Sequence, residues 1–143
     1  MTVVASFRDL KAWKQGMSLV EHCYSATRHF PVEERYGLTT QLRRAAVSIP
    51  SNVAEEHSRK TTGAYANHVS IACGSAGELE TCLLVSERLG FLSSRDASRI
   101  IERCIDVRRI LTGLYSALQL KLLAAQPVRE PHGARRRLTQ SNV

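Results

Sequence analysis

Apolar residues recur at intervals of three and four along four long segments of the chain, which is the spacing of one face of an α-helix. The predicted helices run from about Phe7 to His29, from Pro31 or Arg35 to Ser58, from after Gly63 to Leu89, and from Ser93 or Ser94 to about Ala125. Because the breaks between them are short, the pattern predicts an all-α protein, an antiparallel up-down-up-down four-helix bundle. No alternating β-branched run competes with this prediction.

The predicted second helix carries two rows of residues at helical spacing. The apolar row consists of Leu38, Leu42, Ala45, Ile49 and Val53. The polar row consists of Gln41, Arg44, Ser48, Asn52 and Glu55. Because it borders the core, the polar row suits hydrogen bonds to a neighbouring helix or subunit, or a ligand surface. A half-buried network that serves only the fold is the alternative.

Pro50 lies inside this predicted helix, since the apolar row continues through it from Leu38 to Val53. A proline in a helix removes one backbone hydrogen bond and clashes with the carbonyl four residues earlier, here that of Ala46, at a cost of roughly 3 kcal/mol. We therefore expect Pro50 to lie within, or at a bend of, a continuing helix, with a local or tertiary contact that compensates.

Small residues fill the middle of the third predicted helix, from 72 to 77. Two of them are glycines, each of which costs up to ~1 kcal/mol relative to alanine in a helix. Small side chains let another backbone come close, so we expect helices two and three to form a homo-oligomer interface. The predicted interface or polar-stripe residues are Gln41, Arg44, Ser48, Asn52, Glu55, Gly74, Ser75 and Glu78.

Several motifs together carry a family resemblance. They are Phe30-Pro31, Tyr36-Gly37-Leu38, Gln41, Arg43-Arg44-Ala45, Ser48-Ile49-Pro50, Asn52 and Ala54-Glu55, with Phe7-Arg8-Asp9-Leu10, Trp13 and Gly74-Ser75 elsewhere. Over about residues 6 to 120 the sequence resembles the 23S rRNA-intervening-sequence proteins, a bacterial four-helix-bundle family. The resemblance implies a ring-like homo-oligomer of bundles, with five subunits. Glu56 stands where the family usually has glycine.

Relatives encoded within rRNA inserts or beside diversity-generating retroelements imply an alternative, an accessory protein that binds RNA or DNA. The net charge of +7 agrees with this, and part of it lies in the segment 126–143, which we predict to be a disordered basic tail following a bundle of residues 1–125. The candidate nucleic-acid contacts are Arg35, Arg43, Arg44, Arg59, Arg135, Arg136 and Arg137. Equally, the arginines of the predicted bundle could form ion pairs with Glu55, Glu78 or Glu80 instead.

Motifs for catalysis or cofactor binding are missing from the sequence. No histidine has a glutamate three positions before it, as a di-iron bundle requires, and there is no H-E-x-x-H and no phosphate-binding loop. We predict a protein that is not an enzyme and has no cofactor, metal or small-molecule substrate. The cysteines Cys23, Cys73, Cys82 and Cys104 lack a C-x-x-C pair and are expected in the core. Without a signal segment or an apolar run of ~18 residues, we expect a cytoplasmic protein that does not enter a membrane.

Overall fold

The computed structural model describes residues 6–57 and 61–127. Its helices are α1 (Lys11–Thr27), α2 (Leu38–His57), α3 (Thr62–Arg88) and α4 (Ser94–Ala124), and the described residues contain no strand. Each helix packs against its neighbours in sequence, and α1 also contacts α4, which closes the bundle. The predicted all-α four-helix bundle is confirmed. The tail from residue 128 onward lies outside the described residues.

The first helix begins later than predicted. Ser6 and Asp9 do form the expected capping box, in which Ser6 Oγ accepts from the Arg8 amide and the Asp9 carboxylate accepts from the Ser6 amide, both at 3.3 Å. However, they cap only a 3-10 turn, Phe7–Asp9, because Leu10 is extended (ψ 129°) and α1 starts anew at Lys11. The break allows the Phe7 ring to pack edge-on against Trp13, with 5.5 Å between ring centroids.

The face that α1 turns to the core also differs from the prediction by one position. The sequence pattern favoured a seam of Leu10, Trp13, Met17, Val20, Tyr24 and Thr27, whereas the buried residues are Ala12, Gly16, Leu19, Cys23 and Thr27. Met17 and Tyr24 are 39% and 41% exposed. At Gly16 the buried row packs directly against Pro50 and Ile49 of α2.

Pro50 lies in the contact between these two helices. It is buried inside α2, which stays helical on both sides of it, as predicted. A Cβ atom built on Gly16 of α1 would lie 3.4 Å from Cβ and Cδ of Pro50 and 3.5 Å from Cγ2 of Ile49. Glycine at position 16 therefore brings α1 onto the proline ring, and the packing of that ring offsets part of the cost of the lost hydrogen bond.

The other helix ends follow the local sequence. Thr61 caps α3 by accepting from the Ala64 amide at 3.3 Å, and Ser93 caps α4 by accepting from the Asp96 amide at 3.1 Å. Gly90 has a φ of 78°, the left-handed conformation that glycine adopts readily after a helix. A separate 3-10 turn, Val32–Glu34, precedes α2, as the proline at 31 suggested.

By length and composition, α3 could span a membrane, which the sequence expectation did not foresee. This is weak support for a membrane location, since a core helix of a bundle passes the same test. α3 supplies Val69, Leu79 and Leu83 to the core, and 39% of its most apolar stretch is buried.

Candidate functional site

A groove between α2 and α3 brings together most of the predicted interface residues. We call it the α2/α3 groove; it has a volume of about 410 Å³ and is lined by Tyr36, Gly37, Thr40, Gln41, Arg44, Ala45, Ser48, Ser75 and Glu78. Gln41, Arg44 and Ser48 come from the polar row of α2, and Ser75 and Glu78 come from α3. The polar residues of α2 and α3 meet because neighbouring apolar residues, such as Ala45 and Ile49 of α2, pack in the core and hold the two helices together.

Toward the C-terminal end of α2, the polar row is tied to α3 by hydrogen bonds. Ser48 Oγ lies 2.8 Å from Ser75 Oγ, and Asn52 Nδ2 donates to the carbonyl and the hydroxyl of Ser48 at 2.7 and 3.1 Å. Asn52 Oδ1 lies 3.1 Å from Nδ1 of His68, whose Nε2 is 3.9 Å from the Glu55 carboxylate. We call these five residues the polar ladder.

Sequence reasoning missed His68 as a member of the polar ladder. It lies seven residues before Ser75, which is two helical turns, so the spacing on α3 could have found it. The Asn52 amide donates through Nδ2, and its Oδ1 can only accept, so the proton of the shared hydrogen bond belongs to His68 Nδ1. The ladder is thus a directed network that fixes the register of α2 on α3.

Near the N-terminal end of α2, the groove is different. The side chains of Gln41, Arg44 and Glu78 make no hydrogen bond or ion pair with any residue that the structure describes. We call them the open triad. The ion pairs considered for Arg44 are therefore not formed within this part of the subunit: Glu80 pairs instead with Arg108 of α4 at 2.9 Å, and Glu55 lies near His68. A positively charged donor, a negatively charged acceptor and an amide are therefore exposed at the surface without a partner among the described residues.

The outer face of α3 shares Glu78 with the open triad and consists of Asn67, Ile71, Gly74, Glu78, Thr81 and Val85. Between Asn67 and Val85 this face carries one charged residue, Glu78, while Ile71 is 45% exposed. A Cβ atom on Gly74 or on the neighbouring Gly77 would have nothing within 4 Å. Unlike Gly16, these glycines are not required by any contact with the described part of the bundle.

The candidate nucleic-acid residues are only partly gathered at this groove. Arg44 lines it, and the Arg35 guanidinium lies 5.6 Å from the ring centroid of Tyr36, a groove residue that is 88% exposed. Arg43 turns the other way: its Nε donates to Thr27 Oγ1 at 2.8 Å and its guanidinium stacks 4.5 Å from the Tyr24 ring centroid. Arg59, Arg135, Arg136 and Arg137 lie outside the described residues.

Cys23, Cys82 and Cys104 lie in the core as expected, whereas Cys73 is only partly buried. Burial raises the pKa of Cys23 to about 12 and that of Cys104 to about 11, and Cys104 donates its S–H to the Ala76 carbonyl at 3.2 Å. Both thiols therefore stay protonated at neutral pH, and a protonated thiol is a poor nucleophile and metal ligand. Over residues 6–57 and 61–127, no three His, Cys, Asp or Glu side chains are placed to hold a metal ion.

Comparison with known proteins agrees with this fold. The family described as 23S rRNA-intervening sequence protein matches residues 8–113 of the chain. The structure is similar to a crystal structure from Bacteroides thetaiotaomicron VPI-5482, described as a protein with unknown function from the S23 ribosomal protein family. The TM-score is 0.66 at 16% sequence identity, over 73% of this chain and 97% of that chain. No curated protein matches the sequence.

Proposed function

Given that the chain belongs to the 23S rRNA-intervening sequence protein family, we propose that it is a non-catalytic cytoplasmic bundle protein that assembles with copies of itself into a ring. The outer face of α3 carries this proposal. Gly74 is exposed at its centre, and no contact of the described bundle needs a glycine there. The resemblance noted from the sequence implies five subunits.

An assembly would explain why α3 has glycine at positions 74 and 77. Each costs up to ~1 kcal/mol relative to alanine in a helix interior, and neither gains anything from the described bundle in return. A neighbouring subunit whose backbone crosses at Gly74 supplies the missing benefit, because close approach increases dispersion contacts over the whole crossing. Exposed Ile71 and Val85 on the same face would be covered by that contact.

The open triad supplies the polar part of the same interface. Gln41, Arg44 and Glu78 present an amide, a guanidinium and a carboxylate without partners among the described residues. Arginine is enriched at interfaces because its planar guanidinium makes several hydrogen bonds at once. A ring requires a heterologous contact, in which this surface meets a different surface of the next copy. Mixed charges on the groove favour one docking orientation over others.

The available surface is large enough. At 1.5 Å per residue the 27 residues of α3 extend about 40 Å. A strip of that length and about 20 Å wide, covering α3 and the exposed side of α2, gives roughly the 800 Å² per partner of a standard stable interface.

Light scattering coupled to size-exclusion chromatography tests the proposal. We expect the wild-type chain at micromolar concentration to have a mass several times 15.9 kDa, five times if the resemblance holds. Gly74→Leu should shift the mass toward a single chain, because leucine keeps the neighbouring backbone away. Gly113→Leu is the matched control, since Gly113 is also an exposed helical glycine with nothing within 4 Å of its Cβ position, but on α4.

Both substitutions replace glycine with a better helix former, so neither should weaken folding. Loss of mass in the Gly74 variant with retention in the Gly113 variant therefore identifies the face. A wild-type mass of one chain would refute assembly itself, and equal loss in both variants would refute the assignment to α3.

An accessory protein that binds RNA or DNA is the second candidate. The observation in its favour is that Arg44, exposed and without a partner among the described residues, lies beside the Arg35–Tyr36 pair on a chain with a net charge of +7. Guanidinium groups suit phosphate, and the exposed Tyr36 ring could stack on an unpaired base. Affinity of this kind would be mainly electrostatic and would fall as salt rises.

A further inference from the structure

A second cavity lies at the opposite side of the bundle, between the C-terminal end of α1 and the start of α4. We call it the α1/α4 cavity; its volume is about 400 Å³ and it is lined by His22, Ser25, Ala26, His29, Phe91, Leu92, Ser93, Asp96, Arg99 and Ile100. This volume falls within the range of ~300–1,000 Å³ typical of small-ligand sites. None of these residues belongs to the α2/α3 groove or to the outer face of α3.

Exposed hydrogen-bond donors lie at the mouth of this cavity, and they lack partners among the residues that the structure describes. The Arg99 guanidinium, the His29 ring and the Ser25 hydroxyl make no hydrogen bond or ion pair with the residues that the structure describes. His22 Nδ1 lies 2.7 Å from the Ser18 carbonyl and donates there, so in the neutral ring Nε2 is an acceptor and His22 is not one of these donors. The other donors, a guanidinium with an imidazole and a hydroxyl, are of the kind that proteins use to bind phosphate.

The remaining lining suits the rest of a nucleotide. Phe91 is a partly exposed aromatic ring, held from behind by Phe30 at 5.8 Å between centroids. Leu92 and Ile100 are buried and give the cavity an apolar floor. The Asp96 carboxylate, which would repel a bare phosphate, has no described side-chain partner. It is an acceptor of the type that binds ribose hydroxyls in nucleotide sites.

We propose that the α1/α4 cavity binds a ribonucleotide unit, with the phosphate at Arg99 and His29, a ribose hydroxyl at Asp96 and the base against Phe91. The three contacts explain together why a cavity with a histidine and an arginine at its mouth also has a carboxylate and a partly exposed aromatic ring. The unit is either a free mononucleotide or the 5′-phosphorylated end of an RNA strand, because both present the same three groups. The site does not depend on how the subunits assemble.

Isothermal titration of the full chain with AMP tests the proposal. We expect saturable binding, and Arg99→Gln should weaken it at least about tenfold, the effect of losing one charge-assisted hydrogen bond. Arg109→Gln is the matched control, because Arg109 lies on the same helix, is 77% exposed and is directed to Asp106 at 3.6 Å rather than to the cavity. Equal melting temperatures of the two variants establish that both are folded.

A second comparison tests the role of Asp96. We expect wild-type protein to bind AMP more tightly than 2′-deoxy-AMP, and Asp96→Ala to reduce this preference to about one, whatever it does to the overall affinity for phosphate. A preference that survives in Asp96→Ala would overturn the assignment of the ribose contact.

Short RNAs with and without a 5′-phosphate distinguish the two sources of the ligand. Equal affinity for AMP and for the phosphorylated RNA would indicate a free nucleotide as the ligand. A preference of about tenfold or more for the phosphorylated RNA over AMP would indicate the end of an RNA strand. Either result supports a ribonucleotide site in the α1/α4 cavity. Absence of saturable binding of both up to about 5 mM would overturn the proposal. Equal weakening in Arg99→Gln and Arg109→Gln would also overturn it, because attraction would then be diffuse.

Discussion

Asn52 is the centre of the polar ladder, and its removal is the sharpest test of how α2 is held on α3. Its side chain donates twice to Ser48 and accepts from His68, at 2.7, 3.1 and 3.1 Å. In Asn52→Ala these three bonds are lost. Each net bond is worth about 0.5–1.5 kcal/mol, so together they contribute roughly 1.5–4.5 kcal/mol.

Two effects reduce this sum. Alanine is the better helix former by up to ~0.7 kcal/mol, and water reaches part of the site, so it replaces some of the lost bonds. We therefore expect Asn52→Ala to lower the free energy of unfolding by about 2 kcal/mol. For a domain of this size, 1 kcal/mol corresponds to about 3–5 °C, so the melting temperature should fall by about 6–10 °C.

Urea unfolding followed by circular dichroism measures the change, at several protein concentrations so that any dissociation of subunits is separated from unfolding. The neighbouring Ser51→Ala is the control, since Ser51 is exposed and should change stability by less than about 0.5 kcal/mol. A double-mutant cycle of Asn52→Ala with His68→Ala should give a coupling of at least about 0.5 kcal/mol. An Asn52→Ala variant as stable as Ser51→Ala would show that the ladder does not hold the helices.

Two further outcomes follow from the buried thiols and from Arg44. Since the pKa values of Cys23 and Cys104 are raised from 9.0 to about 12 and about 11, the unfolded chain releases these protons first as pH rises. The free energy of unfolding should be unaffected below about pH 9 and then fall by up to ~1.4 kcal/mol per pH unit for each thiol. Urea unfolding at about pH 9 to 11 measures this decrease, and it should be less steep in Cys23→Ala. In gel-shift assays, any affinity for RNA should fall as the salt concentration rises. If the bundle holds the binding site, Arg44→Gln should reduce this affinity more than deletion of residues 127–143 does. Absence of a shift at low salt would exclude the second candidate function, nucleic-acid binding.

Much of the fold could be predicted because large apolar residues repeat without competition along α2, α3 and α4. Leu42, Ile49 and Val53, for example, lie in the predicted row of α2 and are fully buried. In α1 two rows one position apart compete, and periodicity alone cannot choose between them. The packed structure makes the choice: Gly16 faces Pro50 of α2, and a Cβ atom at position 16 would already be at van der Waals distance from the proline ring. That distance belongs to the packed pair of helices and has no local signal in either sequence.

For the candidate site, the sequence identified the row of residues on α2 but not all of their partners on α3. Helical spacing on α2 identified Gln41, Arg44, Ser48 and Asn52 as one row, and these residues do line the contact with α3. Which α3 residue bonds to which member of the row depends on the register of two helices, and so His68 was missed. The α1/α4 cavity was missed for a similar reason, because its residues come from two chain segments about 70 residues apart.

The polar row of α2 serves two purposes, separated by position rather than by residue type. From Ser48 to Asn52, the row bonds within the bundle, so changes there should cost stability even in a single chain. At Gln41 and Arg44 no described residue offers a partner, so changes there should leave the stability of a single chain almost unchanged and act only on what binds outside it. A helix with this division can keep its register on α3 while the open end changes partners, because the two groups of residues share no hydrogen bond.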